Sequence, residues 1–134
     1  MRWLRARAAA WDDRGSAPVE FVLVGTLLTA LTLGVLQFAL GVYVRNVVHD
    51  AAVEGAYHAA LADTTLTEGG ERTRDVITRA VGAAYAEEVA VTEDSADGHP
   101  VVRVTVRAPM PVLGLIGVPG VWEVTGDAPA ERLE

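Results

Sequence analysis

The sequence predicts an α+β protein: a long N-terminal helix that crosses a membrane and continues outside it, a second amphipathic helix, and a small antiparallel meander of about three strands. Three observations predict it. From Phe21 to Val44 there are 24 residues without a charge. Val76, Ile77, Ala80, Val81, Ala84 and Tyr85 recur at helical spacing. Val102, Val104 and Val106 alternate with Arg103, Thr105 and Arg107, the period of a sheet with one wet face.

The chain opens on a basic leader, residues 1–15, with four arginines against Asp12 and Asp13, a balance of +2. Residues 45–134 carry seven arginines against 15 acids, a balance of −8, and Glu20 completes the net −7. The positive-inside rule places the N-terminus in the cytoplasm and the C-terminal domain outside the membrane. Residues 16–44 form the transmembrane helix between them, and residues 45–134 form the extracytoplasmic domain. A helix of 24 residues rises about 36 Å, enough to cross a hydrocarbon core of roughly 30 Å with some tilt. A cleaved secretory signal would have a shorter apolar stretch ending at a small-residue site, whereas this run passes through Tyr43 and Val44 into Arg45. Arg45 to Leu61 contains no proline and keeps helical periodicity, so the helix is expected to run on to about Leu61, roughly 40 residues and 60 Å in all.

Thr64 to Gly70 reads as a loop, and Glu71 to Ala86 as the second helix. Val89 to Thr92 reads as a strand, Asp94 to Pro100 as a turn around Asp97-Gly98, and Val101 to Ala108 as the partner strand ended by Pro109 and Pro111. Val112 to Gly120 is apolar but broken by three glycines and Pro119, a loop suited to contact with membrane or a neighbour. Val121 to Thr125, with Trp122 and Val124 on one face, supplies a third strand, and the polar tail from Asp127 to Glu134 is expected to fray. So small a core favours stabilisation by partner subunits.

Ala30, Gly34, Gln37 and Gly41 are spaced 4, 3 and 4 apart, which puts three small residues and the segment's one amide on a single helical face. Such a face lets helices approach closely in lipid and gives the glutamine a partner across the interface. Val48, Ala52, Gly55 and Ala59 extend the spacing beyond the membrane, and close packing against a partner accounts for a helix-weakening glycine at Gly55.

Enzymatic chemistry finds little support. There is no cysteine, neither Ser16 nor Ser95 lies in a Gly-x-Ser-x-Gly turn, and the glycine-rich Gly114 to Gly120 lacks the lysine of a phosphate-binding loop. Glu54 and His58 stand one helical turn apart with Asp50 before them, a spacing that could seat a metal, but without a third nitrogen ligand or a surrounding motif it reads as a solvated polar face. No cofactor is expected, and an acidic exterior domain argues against nucleic acid as a partner.

The threshold of the apolar run carries the most information. Arg14-Gly15-Ser16-Ala17-Pro18-Val19-Glu20-Phe21 places one carboxylate at the edge of lipid, where an ionisable group costs up to about 3 kcal/mol at the helix centre and less near the interface. Helix initiation alone accounts for Ser16 as N-cap, Pro18 in the first turn and Glu20 near the positive end of the dipole. It does not call for Gly15, the basic leader, or an acid immediately before the membrane.

That octapeptide, the apolar helix, Tyr43-Val44-Arg45-Asn46 and Ala51-Ala52-Val53-Glu54-Gly55-Ala56 together resemble TadE-like proteins, the minor pilins or pseudopilins of the tight adherence (Flp pilus) branch of type IV pilus systems. The resemblance covers about residues 14–60; the rest agrees in general character. It implies a pilin-like architecture and processing by a prepilin peptidase, a membrane aspartic peptidase that cuts after a glycine with glutamate five residues into the product. Cleavage here would fall between Gly15 and Ser16, leaving Glu20 as the fifth residue of a 119-residue product. The new α-amino group on Ser16 of a neighbouring subunit is then a cationic partner for the Glu20 carboxylate in lipid. Ser16 stands where major type IV pilins carry a methylated phenylalanine, and Tyr57 where many family members carry arginine, so no role resting on either is carried over.

The resemblance therefore implies a non-enzymatic, single-pass membrane protein that helps assemble or anchor a Flp-type pilus or an allied secretion machine. Its partners would be membrane lipid, the prepilin peptidase, other pilin or pseudopilin subunits and the tight adherence inner-membrane components. The alternative is a signal-anchored extracytoplasmic binding domain unrelated to pili. A third reading is a small metal-dependent enzyme using Glu54 and His58.

Overall fold

In a computed structural model of the chain, residues 15–111 and 120–131 are described. The leader up to Arg14, the Val112 to Pro119 part of the apolar loop and the last three residues of the tail lie outside them. Helix α1 spans Ser16–Ala60, helix α2 Leu66–Ala80, and strands β1, β2 and β3 span Glu88–Ala96, His99–Pro109 and Val121–Pro129. The architecture is the α+β arrangement expected, with the strands in the sheet order β1-β2-β3 and both pairings antiparallel. The chain divides into two compact units at Leu36 and Gln37.

In the first unit α1 is apolar on every side, with Val19, Phe21, Leu27 and Leu31 all more than 60% exposed. It is the one helix among the described residues long and apolar enough to cross a membrane. Its hydroxyls are satisfied internally: Thr26, Thr29 and Thr32 donate to the carbonyls of Val22, Gly25 and Leu28 at 2.7, 2.8 and 2.8 Å. Lipid supplies no hydrogen-bond partners, so this back-bonding suits a segment that enters it.

In the second unit the burial on α1 becomes one-sided. Val44, Val48, Ala51, Ala52, Gly55, Ala56, Ala59 and Ala60 are buried, the spacing of a core-facing stripe. The turn between β1 and β2 is a two-residue Asp97-Gly98 hairpin with φ of 51° and 80°, the left-handed pair that a type I′ turn requires. Val102, Val104, Val106 and Ala108 point inward, opposite Ala128, Gly126, Val124 and Trp122. On the other face Arg103 bridges Asp94 and Asp127 at 2.5 and 2.8 Å, and Arg107 meets Glu123 at 2.9 Å.

Two close approaches set the distances between layers. A Cβ at Gly126 would stand 2.6 Å from the Ala52 carbonyl carbon and 2.8 Å from Val53 Cα, so β3 meets the backbone of α1 directly. A Cβ at Gly55 would collide with Thr73 Oγ1 and stand 2.7 Å from the Gly69 carbonyl, so α2 does the same. The small residues of α1 thus let the sheet and α2 close over it at backbone range.

Several boundaries differ from the sequence reading. Helix α2 begins at Leu66 inside the expected loop, because Thr65 and Glu68 form a capping box: Thr65 Oγ1 accepts from Glu68 N at 3.2 Å and Glu68 Oε2 accepts from Thr65 N at 2.7 Å. Gly69 and Gly70 are helical and buried, not loop residues. The helix stops at Ala80 rather than Ala86, since Gly82 takes φ of 110° and a short 3-10 turn follows over Ala83–Tyr85. Strand β1 extends to Ala96, because the tight hairpin lets the ladder continue to the Ala96–His99 pair. Strand β3 takes in Asp127 to Pro129, which do not fray: Arg103 holds Asp127, and the amides of Ala130 and Glu131 each donate at 3.0 Å, to the carbonyls of Pro100 and Ala60.

Candidate functional site

Gly15 precedes α1 in a turn, is exposed, and has nothing within 4 Å of a Cβ placed on it. Among the described residues nothing packs on Gly15, at the point where regular helix begins. Ser16 is the first helical residue and its Oγ donates to Glu20 Oε1 at 2.9 Å, a side-chain bond across one turn. Pro18 falls among the first four helical residues, whose amides have no partner within the helix, so its missing N–H leaves no bond unmade. Glu20 is exposed, and among the described residues no cationic side chain pairs with it. Gly15, Ser16 and Glu20 are thus together within the first turns of α1.

The expected packing face is used unevenly. Ala30 and Gly34 are exposed, and a Cβ on Gly34 would meet nothing within 4 Å. Gln37 is half-buried and its Nε2 donates to the Pro111 carbonyl at 2.6 Å, so the amide has an acceptor in its own chain. Gly41 is half-buried with open space above it. Gly55 is in tight contact with α2 of the same chain, and Val48, Ala52 and Ala59 are core residues. Packing within the chain therefore accounts for the outer part of the spacing.

Glu54 is held by Arg72, with Arg72 Nε and Nη2 at 2.8 and 2.5 Å from Glu54 Oε1, while the His58 carbonyl accepts from the Thr64 hydroxyl. Among the described residues no three metal-ligating side chains come together. Titration is perturbed at the caps and ladders instead. Hydrogen bonds from Thr65 hold the Glu68 carboxyl below its ordinary value, and the Arg103 hydrogen bond does the same for Asp127. Sequence reasoning gives no role to Thr65, Gly69 or Gly126; the Thr-x-x-Glu pattern is the one available signal among them.

Among the described residues one helix is long and apolar enough to cross a membrane and it continues into an α+β domain, which is consistent with a single-pass membrane protein. Residues 15–56 match the family model described as TadE-like protein, which takes in Gly15, Ser16, Glu20 and α1 nearly to its end. That match supports, in general terms, a role among the minor pilins associated with tight adherence, Flp-type pili. No curated protein and no solved structure matches the chain.

Proposed function

We propose that this protein is a non-enzymatic pseudopilin or minor pilin that helps assemble or anchor a Flp-type pilus or a related secretion machine. The observation that carries the reading is the coincidence of three boundaries: the family match starts at Gly15, regular helix starts at Ser16, and the uncharged run starts directly after Glu20. In this reading residues 1–15 are a cytoplasmic leader, residues 16–44 span the cell membrane, and residues 45–134 stand outside it. A prepilin peptidase cuts the exposed Gly15-Ser16 bond, and the new Ser16 α-amino group of one subunit pairs with Glu20 of the next. Ala30, Gly34 and Gly41 are the small residues available for contact with other pilin subunits or inner-membrane components.

The chemistry of the pair assigns Glu20 to assembly rather than to cleavage. A carboxylate entering lipid is stabilised by a cation, and this one has only the Ser16 hydroxyl within its own chain among the described residues. In cells lacking the native copy, Glu20→Ala is expected to be processed normally yet to fail in restoring pili. Normal piliation with Glu20→Ala would refute the assembly role.

The Ser16–Glu20 hydrogen bond, a side-chain contact across the first turn with Ser16 inside α1 rather than at its expected N-cap position, is the one observation that favours the alternative, a signal-anchored binding domain whose N-terminal motif serves only to start a helix. That alternative predicts no cleavage at Gly15.

A further inference from the structure

Six arginines lie among the described residues and five have an acceptor. Arg72 bonds Glu54, Arg74 the Val89 carbonyl, Arg79 Asp75, Arg103 both Asp94 and Asp127, and Arg107 Glu123. Arg45 has none. The acid that lines a neighbouring cleft with Arg45, Glu123, is engaged by Arg107 instead. Arg45 is the first charged residue after the run from Phe21 to Val44, which in the membrane-spanning reading puts it at the outer headgroups.

Beside Arg45 lies a cleft of about 290 Å³, walled by Gln37, Gly41, Val42, Met110, Pro111 and Trp122. Trp122 Nε1 is buried without a hydrogen-bond partner, an uncommon state for an indole N–H. The bond from Gln37 to the Pro111 carbonyl fixes the end of β2 against α1 eight residues before Arg45, about 12 Å along the helix axis. In the membrane-spanning reading the cleft runs along α1 from Gln37, on the hydrocarbon side, to Arg45 at the headgroups. At Gly41 the cleft is open, since a Cβ there would meet nothing within 4 Å.

We infer that this cleft binds the headgroup of an anionic phospholipid of the outer leaflet. The Arg45 guanidinium forks onto the phosphate, the Trp122 indole turns its N–H to an ester or phosphate oxygen, and Val42 and Met110 line the first methylenes. A carboxylate from a neighbouring subunit is the other source of negative charge. The phospholipid is favoured because one molecule offers a phosphate to Arg45 and acyl methylenes to the apolar wall of Val42 and Met110. The inference rests on the membrane-spanning reading above.

The test uses the full-length chain in detergent, with retained lipid counted by mass spectrometry of the intact complex after titration with phosphatidylglycerol or phosphatidylcholine. The wild-type chain should hold phosphatidylglycerol more tightly. Arg45→Gln should weaken that binding about fivefold, the worth of one arginine at an anionic surface, and leave phosphatidylcholine unchanged. Gly41→Leu, whose Cβ meets nothing within 4 Å and whose side chain enters the cleft, should do the same, while Arg79→Gln should alter neither; circular dichroism confirms that each variant keeps its fold. Equal retention of the two lipids, unaltered binding in Arg45→Gln and Gly41→Leu, or loss of self-association in place of lipid would each overturn the inference. Failure of the wild-type chain to float with liposomes would overturn the membrane-spanning reading itself, a result distinct from flotation without lipid preference.

Discussion

Gly55→Ala adds a single methyl group, and the structure assigns it a cost opposite to that read from helix propensity. Alanine is favoured over glycine by about 1 kcal/mol in a helix interior, so on α1 alone the change would stabilise. In the fold the new Cβ collides with Thr73 Oγ1 and stands 2.7 Å from the Gly69 carbonyl, and neither neighbour is a flexible chain end: Thr73 is fully buried and its hydroxyl donates to Gly69 O at 3.0 Å. The two helices must separate, and overpacking of this kind costs about 1–3 kcal/mol. With the propensity gain set against it, the net is a loss of about 0–2 kcal/mol, at roughly 4–8 °C in Tm per kcal/mol for a unit of this size. Gly41→Ala is the matched control, because it sits on the same helix with open space above it and should be neutral or stabilising. Thermal unfolding of the full chain in detergent, followed by circular dichroism, compares the two. A Tm for Gly55→Ala raised as far as that of Gly41→Ala would refute the close crossing of α1 and α2.

Thr65→Ala removes the reciprocal cap of α2 and should destabilise the domain by about 1 kcal/mol, read from the same unfolding curves. The cap also sets a pH dependence: the Glu68 pKa is lowered by folding, so its contribution is present above the ordinary carboxylate value and lost as pH falls through the lowered one. That acid sensitivity should shrink in Thr65→Ala; an unchanged acid limb would show that the cap is not its origin. Arg103→Gln should raise the Asp127 pKa toward its ordinary range, observable by NMR titration of the side-chain carboxyl, because the Arg103 hydrogen bond is the largest cause of its depression. An unmoved Asp127 would contradict the cross-strand pairing of β2 and β3.

How far the chain could be read in advance depended on whether a signal was local. The 24 uncharged residues and the valine alternation of β2 each announce an element without reference to the rest of the fold. Gly69 and Gly70 mislead for the opposite reason. As a dipeptide they mark a loop, yet in the structure the first lets α2 touch Gly55 and Ala59, a reason that exists only once the two helices are packed. Asp127 looked like the start of a polar tail because its partner Arg103 is 24 residues away and meets it only through the β2–β3 register. At the candidate site, Gly15, Ser16 and Glu20 could be named from their order alone, since they are neighbours in sequence. The Pro111 acceptor of Gln37 and the unpaired state of Arg45 could not, since both depend on how the sheet is set against α1.

The central claim is that Gly15-Ser16 is a scissile bond, and the intact mass of the mature protein tests it most directly. Expressed beside an active prepilin peptidase, the chain should lose its first 15 residues and appear as a 119-residue product beginning at Ser16, and Gly15→Ala should leave it uncut. Persistence of the full leader in the presence of that peptidase would contradict the account.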